Sequence, residues 1–97
     1  MSILYIAEVK VKNDQIANIK SFMKQITPDT RGFKGNEGVE IYFDMEENDL
    51  MFLVEKWNSE EDYHKYHQWR VSTGVIDKLR SMLAGKPKRR FLKRIDA

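Results

Sequence analysis

The stretch "EKWNSEEDYHKYHQWR", residues 55–70, gathers two Trp, two Tyr, two His and an Arg into sixteen positions. On a helix that turns about 100° per residue, Tyr63, Tyr66, His67 and Arg70 share one face. Trp69 and Val71 border it, and Lys65, Gln68 and Ser72 lie opposite. Such a face joins an imidazole that titrates near neutrality to two phenols and a guanidinium, a set suited to moving a proton and steadying negative charge. Aromatics at helical spacing also serve as plain core. The polar members need partners in either case, because each unpaired buried group costs about 1–3 kcal/mol. A cavity holding a polar aromatic ligand would satisfy them. Arg70 has two readings at this point, stabilising charge in a site or holding Glu55 in a structural ion pair.

Other chemistries fit less well. His64 and His67 stand about 60° apart round the helix and no HExxH-like pattern exists, so a metal site is disfavoured. Ser59, Ser72 and Ser81 have capping or solvent explanations, and no GxSxG nucleophile motif is present. No glycine fingerprint follows a strand and opens a helix, which leaves a flavin or nicotinamide fold unsupported. "RGFKG" (31–35) begins like an RNA-recognition signature, then has Lys34 and Gly35 where a small residue and an aromatic belong, and it precedes the second strand rather than lying on the third. It also lacks the flanking helices of a KH-type clamp. These departures leave RNA binding as a distant third reading.

The elements that must position the helix are legible. Ile3, Tyr5, Ala7, Val9 and Val11 alternate along a first strand, with Leu4 and Ile6 apolar on its other face. Asn13 or Asp14 can cap a helix striped by Ile16, Ile19, Phe22, Met23 and Ile26, which Pro28 is expected to end. Residues 27–38, with three Gly and a Pro, read as a long loop. "VEIYFDM" (39–45) and "LMFLVEKW" (50–57) read as two strands flanking an acidic turn. Ser59 with Asp62 fits a capping box at the start of the aromatic helix. Ser72-Thr73-Gly74 breaks that helix, and Val75, Ile76, Leu79, Met82 and Leu83 mark another, stopped by Gly85 and Pro87. "KRRFLKRI" closes the chain as a strand whose charge suits a sheet edge.

The order β-α-β-β-α(α)-β is a ferredoxin-like α+β arrangement with an antiparallel four-stranded sheet. At 97 residues the chain is one domain, 1–97. On the third strand Leu50, Phe52 and Val54 face one side, and Met51, Leu53 and Trp57 the other. Two apolar faces call for two covers, and the helices supply one. A homodimer built sheet to sheet would supply the second. Seventeen cations against fifteen anions leave a net charge of +2, too balanced to imply a polyanionic partner. The basic run 86–94 is read as a solvated edge strand with a frayed tail. The absence of Cys excludes disulfides, thiolate nucleophiles and Cys-based metal centres, and it suits a reducing compartment. "ILYIA" is too short to span a bilayer, so a cytoplasmic protein without a membrane partner is expected.

"TRGFKG" (30–35), "EKW" at the end of the third strand and "SEEDYHKYHQWR" together resemble the antibiotic biosynthesis monooxygenase family of dimeric α/β barrels, over nearly the whole chain and in matching element order. The resemblance implies a homodimer with a pocket in each subunit between sheet and helices. It also implies oxidation of a phenolic or quinol-type aromatic by O2 with no flavin or metal cofactor. Trp57 matches the family Trp ending the third strand, Tyr63 a pocket Tyr six residues on, and Tyr42 a second-strand position where an aromatic hydroxyl can face the cavity. Nine residues after Trp57, where relatives often have His, stands Tyr66, with His67 beside it. Ile76 occupies the position where haem-degrading relatives need an axial His, which disfavours haem.

In such a mechanism the substrate itself supplies the electron to O2, most readily as its anion. His67 is the expected proton acceptor, and Tyr63 and Tyr66 would hydrogen-bond the substrate oxygens. Trp57 would stack on the ring and Arg70 stabilise phenolate or peroxide-like charge. Phe22, Phe52 and Leu79 would wall out water, and the 27–38 loop would act as a lid. The competing expectation is a non-catalytic, small-ligand-binding dimer of the same fold.

Overall fold

The computed structural model describes residues 2–97. Strand β1 (Ile3–Lys10) leads through a 3-10 turn (Asn13–Gln15) into helix α1 (Ile16–Arg31). Strands β2 (Asn36–Phe43) and β3 (Leu50–Trp57) follow, then helices α2 (Glu60–Ser72) and α3 (Val75–Ser81) and strand β4 (Lys88–Lys93). The sheet has the order β2-β3-β1-β4, with every neighbouring pair antiparallel. This is the ferredoxin-like architecture that the alternation and helical spacing predict, with the cationic strand at an edge.

Alternation decides which side chains meet the helices. Tyr5, Ala7 and Val9 of β1 and Met51, Leu53 and Trp57 of β3 are buried beneath them in one core with Ile19, Phe22 and Met23 of α1, and Glu55 of β3 and Val39 of β2 are buried as well. Leu4, Ile6, Phe52 and Val54 occupy the opposite face, where Tyr42 pairs with Phe52 and remains 50% exposed. No element of this chain covers that face among the described residues. No helix among them is long and apolar enough to cross a membrane.

Helix α1 departs from expectation. Pro28 lies inside it, and the helix runs on to Arg31, so the loop contracts from 27–38 to residues 32–35 before β2 begins. A proline removes one helical hydrogen bond and crowds the preceding turn. Here the following turn is anchored by tertiary contacts: Thr27 and Thr30 are buried, and the Arg31 guanidinium donates to the Val39 carbonyl at 3.0 Å. Neither half of the expected lid is a free loop. The other end differs too: the 3-10 turn precedes the helix, and its N-cap residue Gln15 makes no side-chain capping bond.

Ser59 does cap α2, its Oγ accepting from the Asp62 N–H at 3.1 Å. The 32–35 turn brings Gly35 against this helix start, at φ 90°. A Cβ there would overlap the Asp62 carboxylate. Replacing Gly35 by Ala is therefore expected to cost at least about 1–2 kcal/mol from the left-handed backbone alone. Urea unfolding of Gly35→Ala, with and without Asp62→Ala, checks this. The second change should recover only the part of the loss that comes from overlap with the carboxylate, because the Cβ kept at position 62 would still lie too close.

Candidate functional site

Between the sheet and the three helices lies a narrow, partly enclosed cavity of about 80 Å³. Its wall includes Tyr5 and Ala7 from β1, Leu53 and Glu55 from β3, and Tyr63, Tyr66, His67 and Arg70 from α2. Helix α1 contributes Met23, Ile26, Thr27 and Thr30, and α3 contributes Ile76 and Leu79. Four polar residues singled out on the α2 face thus converge on one space. The reason is helical geometry, since positions 63, 66, 67 and 70 recur on the side turned to the sheet.

Arg70, only 3% exposed, anchors one side of the cavity. Its Nε–H donates to the Tyr66 hydroxyl at 2.9 Å, and its Nη2 donates to the Ile26 carbonyl at 2.7 Å and to Thr30 Oγ1 at 3.0 Å. The Thr30 and Tyr66 hydroxyls are 2.7 Å apart, which closes the network. The guanidinium also lies over the Trp69 ring, 4.5 Å from its centroid. Arg70 spends these donors on hydroxyls and a carbonyl rather than on a direct ion pair with Glu55.

A second guanidinium serves the other phenols. Arg89 of β4 donates from Nε to the Tyr5 hydroxyl at 2.9 Å and from Nη2 to the Tyr63 hydroxyl at 2.6 Å. The two rings stack with centroids 4.3 Å apart. With each oxygen accepting from Arg89, one phenolic proton is engaged in the hydrogen bond between the Tyr5 and Tyr63 hydroxyls, and the other is left to donate elsewhere. Burial holds the Tyr63 hydroxyl well above the usual phenol range, with Tyr5 adding to the effect and Arg89 opposing it. Burial likewise raises Tyr66, against the hydrogen bonds from Thr30 and Arg70. Both remain neutral donors around neutral pH.

His67 sits half-buried at the cavity edge, stacked on Tyr63 with centroids 5.8 Å apart. Burial lowers its pKa, and the positive charge of Arg89 and Arg80 and the nearby His64 lower it further. It is a neutral imidazole at pH 7. Glu55 is its counterpart: only 4% exposed, with Oε1 accepting from the Trp57 indole N–H at 3.0 Å. Burial drives its pKa up to about 7, although that hydrogen bond and the charges of Arg70 and Arg89 pull the other way.

Other expected wall residues stand elsewhere. Tyr42 and Phe52 are on the uncovered sheet face, because even-numbered positions on β2 and β3 point away from the helices. Phe22 is core, with its ring under the Lys78 ammonium at 4.9 Å, outside the cavity wall. Trp57 is wholly buried behind the wall, packed against Phe33, Tyr63 and Tyr66, and reaches the cavity only through its bond to Glu55. Leu79 does line the space. Tyr5, Thr30, Glu55 and Arg89 belong to the site without having been singled out. Alternation had already placed Tyr5 inward, and it does the same for Glu55, two residues from Leu53 and from Trp57. Arg89 was concealed in a charge run, and Thr30 by the proline before it. His64 faces Glu60 across 3.5 Å at the surface, and no group of three potential metal-binding side chains occurs among the described residues.

The sequence profile of the antibiotic biosynthesis monooxygenase family matches residues 2–71. No curated protein matches the chain. Among solved structures, a conserved protein from Methanosarcina mazei Go1 superposes with a TM-score of 0.90 at 15% identity, over 98% of this chain and 94% of its own. An antibiotic biosynthesis monooxygenase superposes with a TM-score of 0.87 at 11% identity, over 97% and 99%. A mutant of SnoaB, a cofactor-independent oxygenase from Streptomyces nogalater, gives 0.85 at 7% identity, over 99% and 95%. At these identities the likeness is one of fold.

The carboxylate of Glu55 makes stability depend on pH. Its pKa is 4.5 without perturbation and about 7 in the folded protein, so between these values the folded chain holds a proton that the unfolded chain has lost. Stability therefore falls as pH rises through that window, and the penalty is complete above it, on the order of 3 kcal/mol. Glu55→Gln keeps an acceptor for Trp57 and removes the charge. It is expected to be more stable than the wild type at pH 8, by about 1–3 kcal/mol, with the gap closing towards pH 4. Urea unfolding at several pH values measures this directly.

Proposed function

This protein belongs to the antibiotic biosynthesis monooxygenase family, and on that premise we propose that it oxidises a phenolic or quinol-type aromatic with O2 without a bound cofactor. The observation that carries the reading is the enclosure, in one cavity, of proton acceptors and phenols organised by two guanidiniums. The common fold of a cofactor-independent oxygenase supports it.

Without a cofactor the electron must come from the substrate, and a phenolate gives it up far more readily than a phenol. The site therefore needs an acceptor for the phenolic proton, and His67 and Glu55 can each take it. Tyr63 and Tyr66 would donate to the substrate oxygens, and Arg70 would stabilise the anion through the Tyr66 hydroxyl that it holds. The apolar wall, Leu79 included, keeps water from competing. Arg80 and Arg89 make protonation of His67 unfavourable, which suits it to accepting a hydrogen bond from the substrate.

At about 80 Å³ the cavity has room for only a few waters, so an aromatic ring enters as the walls part. Helix α3 is the wall best able to move. It is seven residues long, has no fully buried residue, and hangs from Gly74 at φ 82°. This assigns the lid to α3 rather than to the 27–38 segment. The uncovered sheet face, with Tyr42, Phe52, Val54 and Ile6 together, supports a homodimer joined through it.

Oxygen uptake by metal-free protein across a panel of hydroquinones, catechols and polycyclic phenols tests the reading. One O2 should be consumed per substrate above the autoxidation rate, with one ¹⁸O atom from ¹⁸O2 retained in the quinone product. Tyr63→Phe should lower kcat/KM by roughly tenfold, and His67→Ala by up to about tenfold. A folded protein that binds panel members without consuming O2 would establish the non-catalytic ligand-binding reading instead.

A further inference from the structure

We propose that Glu55 is the catalytic base of this site, taking the phenolic proton of the bound aromatic and later returning it to the reduced oxygen. The inference rests on the oxygenase reading and identifies the group on which that reaction turns.

The geometry separates Glu55 from His67. The carboxylate stands on an inward position of a central strand, almost wholly out of water, and lines the same cavity as Tyr63, His67 and Arg70. Trp57 fixes one oxygen through its indole N–H, which leaves the other for the cavity. The two nearby cations are committed elsewhere, Arg70 to Tyr66, Thr30 and Ile26, and Arg89 to Tyr5 and Tyr63. Among the described residues, neither is within ion-pairing distance of Glu55.

The sign of the charge change favours the carboxylate. Protonating Glu55 removes a desolvated negative charge, whereas protonating His67 adds a positive one beside Arg89, Arg80 and His64. The remaining titratable groups on the cavity are phenols, Tyr5 from β1 and Tyr63 and Tyr66 from α2. Helices α1 and α3 bring threonines and apolar side chains to it. A raised carboxylate with a pKa of about 7 can both accept and return a proton near neutrality.

The steps balance with O2 as the only co-reactant. The phenol O–H breaks and its proton goes to Glu55. The phenolate passes one electron to O2, and the phenoxyl radical and superoxide combine at a ring carbon that bears hydrogen. Glu55 returns its proton to the peroxide, giving a hydroperoxide. It then takes the proton from that ring carbon as the O–O bond breaks, leaving a carbonyl and a hydroxide, and gives this proton to the hydroxide to form water. The ring loses two hydrogens and gains one oxygen, O2 is fully reduced, and Glu55 ends as it began.

Two readouts on wild type, Glu55→Gln, Glu55→Asp and His67→Ala test this. Circular dichroism of each variant establishes that it is folded. The first readout needs no turnover: 4-cyanophenol is titrated with each protein slightly above neutral pH, where it is mostly un-ionised in solution. Its phenolate absorption should grow on binding to wild type and His67→Ala, weaken with Glu55→Asp and vanish with Glu55→Gln. The second is the pH profile of kcat/KM for whichever panel phenol is oxidised. Glu55→Gln should lose roughly 100-fold or more and the acidic limb of the profile, with Glu55→Asp keeping part of both. Equal phenolate formation in Glu55→Gln, no phenolate in the wild-type complex, or an acidic limb that survives in Glu55→Gln and disappears in His67→Ala would overturn the assignment. Absence of oxygen uptake from every protein, with phenolate formation still dependent on Glu55, would instead overturn the oxygenase reading and leave Glu55 as the proton acceptor.

Discussion

Arg70 is a guanidinium taken out of water, and the arrangement of the surrounding helices follows from satisfying it. An uncompensated buried charge costs several kcal/mol, so its donors must find acceptors inside the protein. They find them on two elements: the Ile26 carbonyl and the Thr30 hydroxyl on α1, and the Tyr66 hydroxyl one turn back on α2. This requires α1 to stay helical beyond Pro28, because Thr30 would otherwise not lie opposite Arg70. The same contacts hold α2 at a fixed rotation, which turns Tyr63 and His67 towards the sheet. A lost backbone bond at the proline is thus exchanged for a buried polar network spanning α1 and α2.

The second guanidinium extends this logic to the sheet. Arg89 ties the edge strand β4 to Tyr5 of β1 and Tyr63 of α2, so one cation of an exposed strand reaches from the edge to the phenols beneath the helices. Glu55 feels both charges without a direct ion pair to either. Attraction keeps its proton from being held more tightly still, and desolvation keeps the carboxylate from behaving as an ordinary acid. Titration near neutrality results from this opposition. An apolar wall on the side of α3 makes the balance effective, since water would screen it.

Much of this was legible in the chain. Alternation in β1 and β3 marked the inward residues, and the 63-66-67-70 spacing marked the face of α2 that lines the cavity. The same alternation carried Glu55 inward, although a carboxylate between apolar neighbours reads more readily as the partner of an Arg than as a site in itself. Tyr42 and Phe52 show the reverse error. Their aromatic character suits a pocket, but strand parity sends them to the uncovered face. Trp57 lies on the correct face and one layer too deep, where it holds Glu55.

Local pattern by itself determined the element order, the two faces of the sheet and the cluster of polar groups on α2, because periods of two and of about 3.6 residues are written directly into the chain. Only the tertiary structure decided whether Pro28 would end its helix, which of the clustered cations would turn inward, and which acceptor each would find. Those outcomes depend on pairs 40 and 84 residues apart, Arg70 with Thr30 and Arg89 with Tyr5. No local period encodes them. The energy of a buried charge is set by whatever the fold places around it.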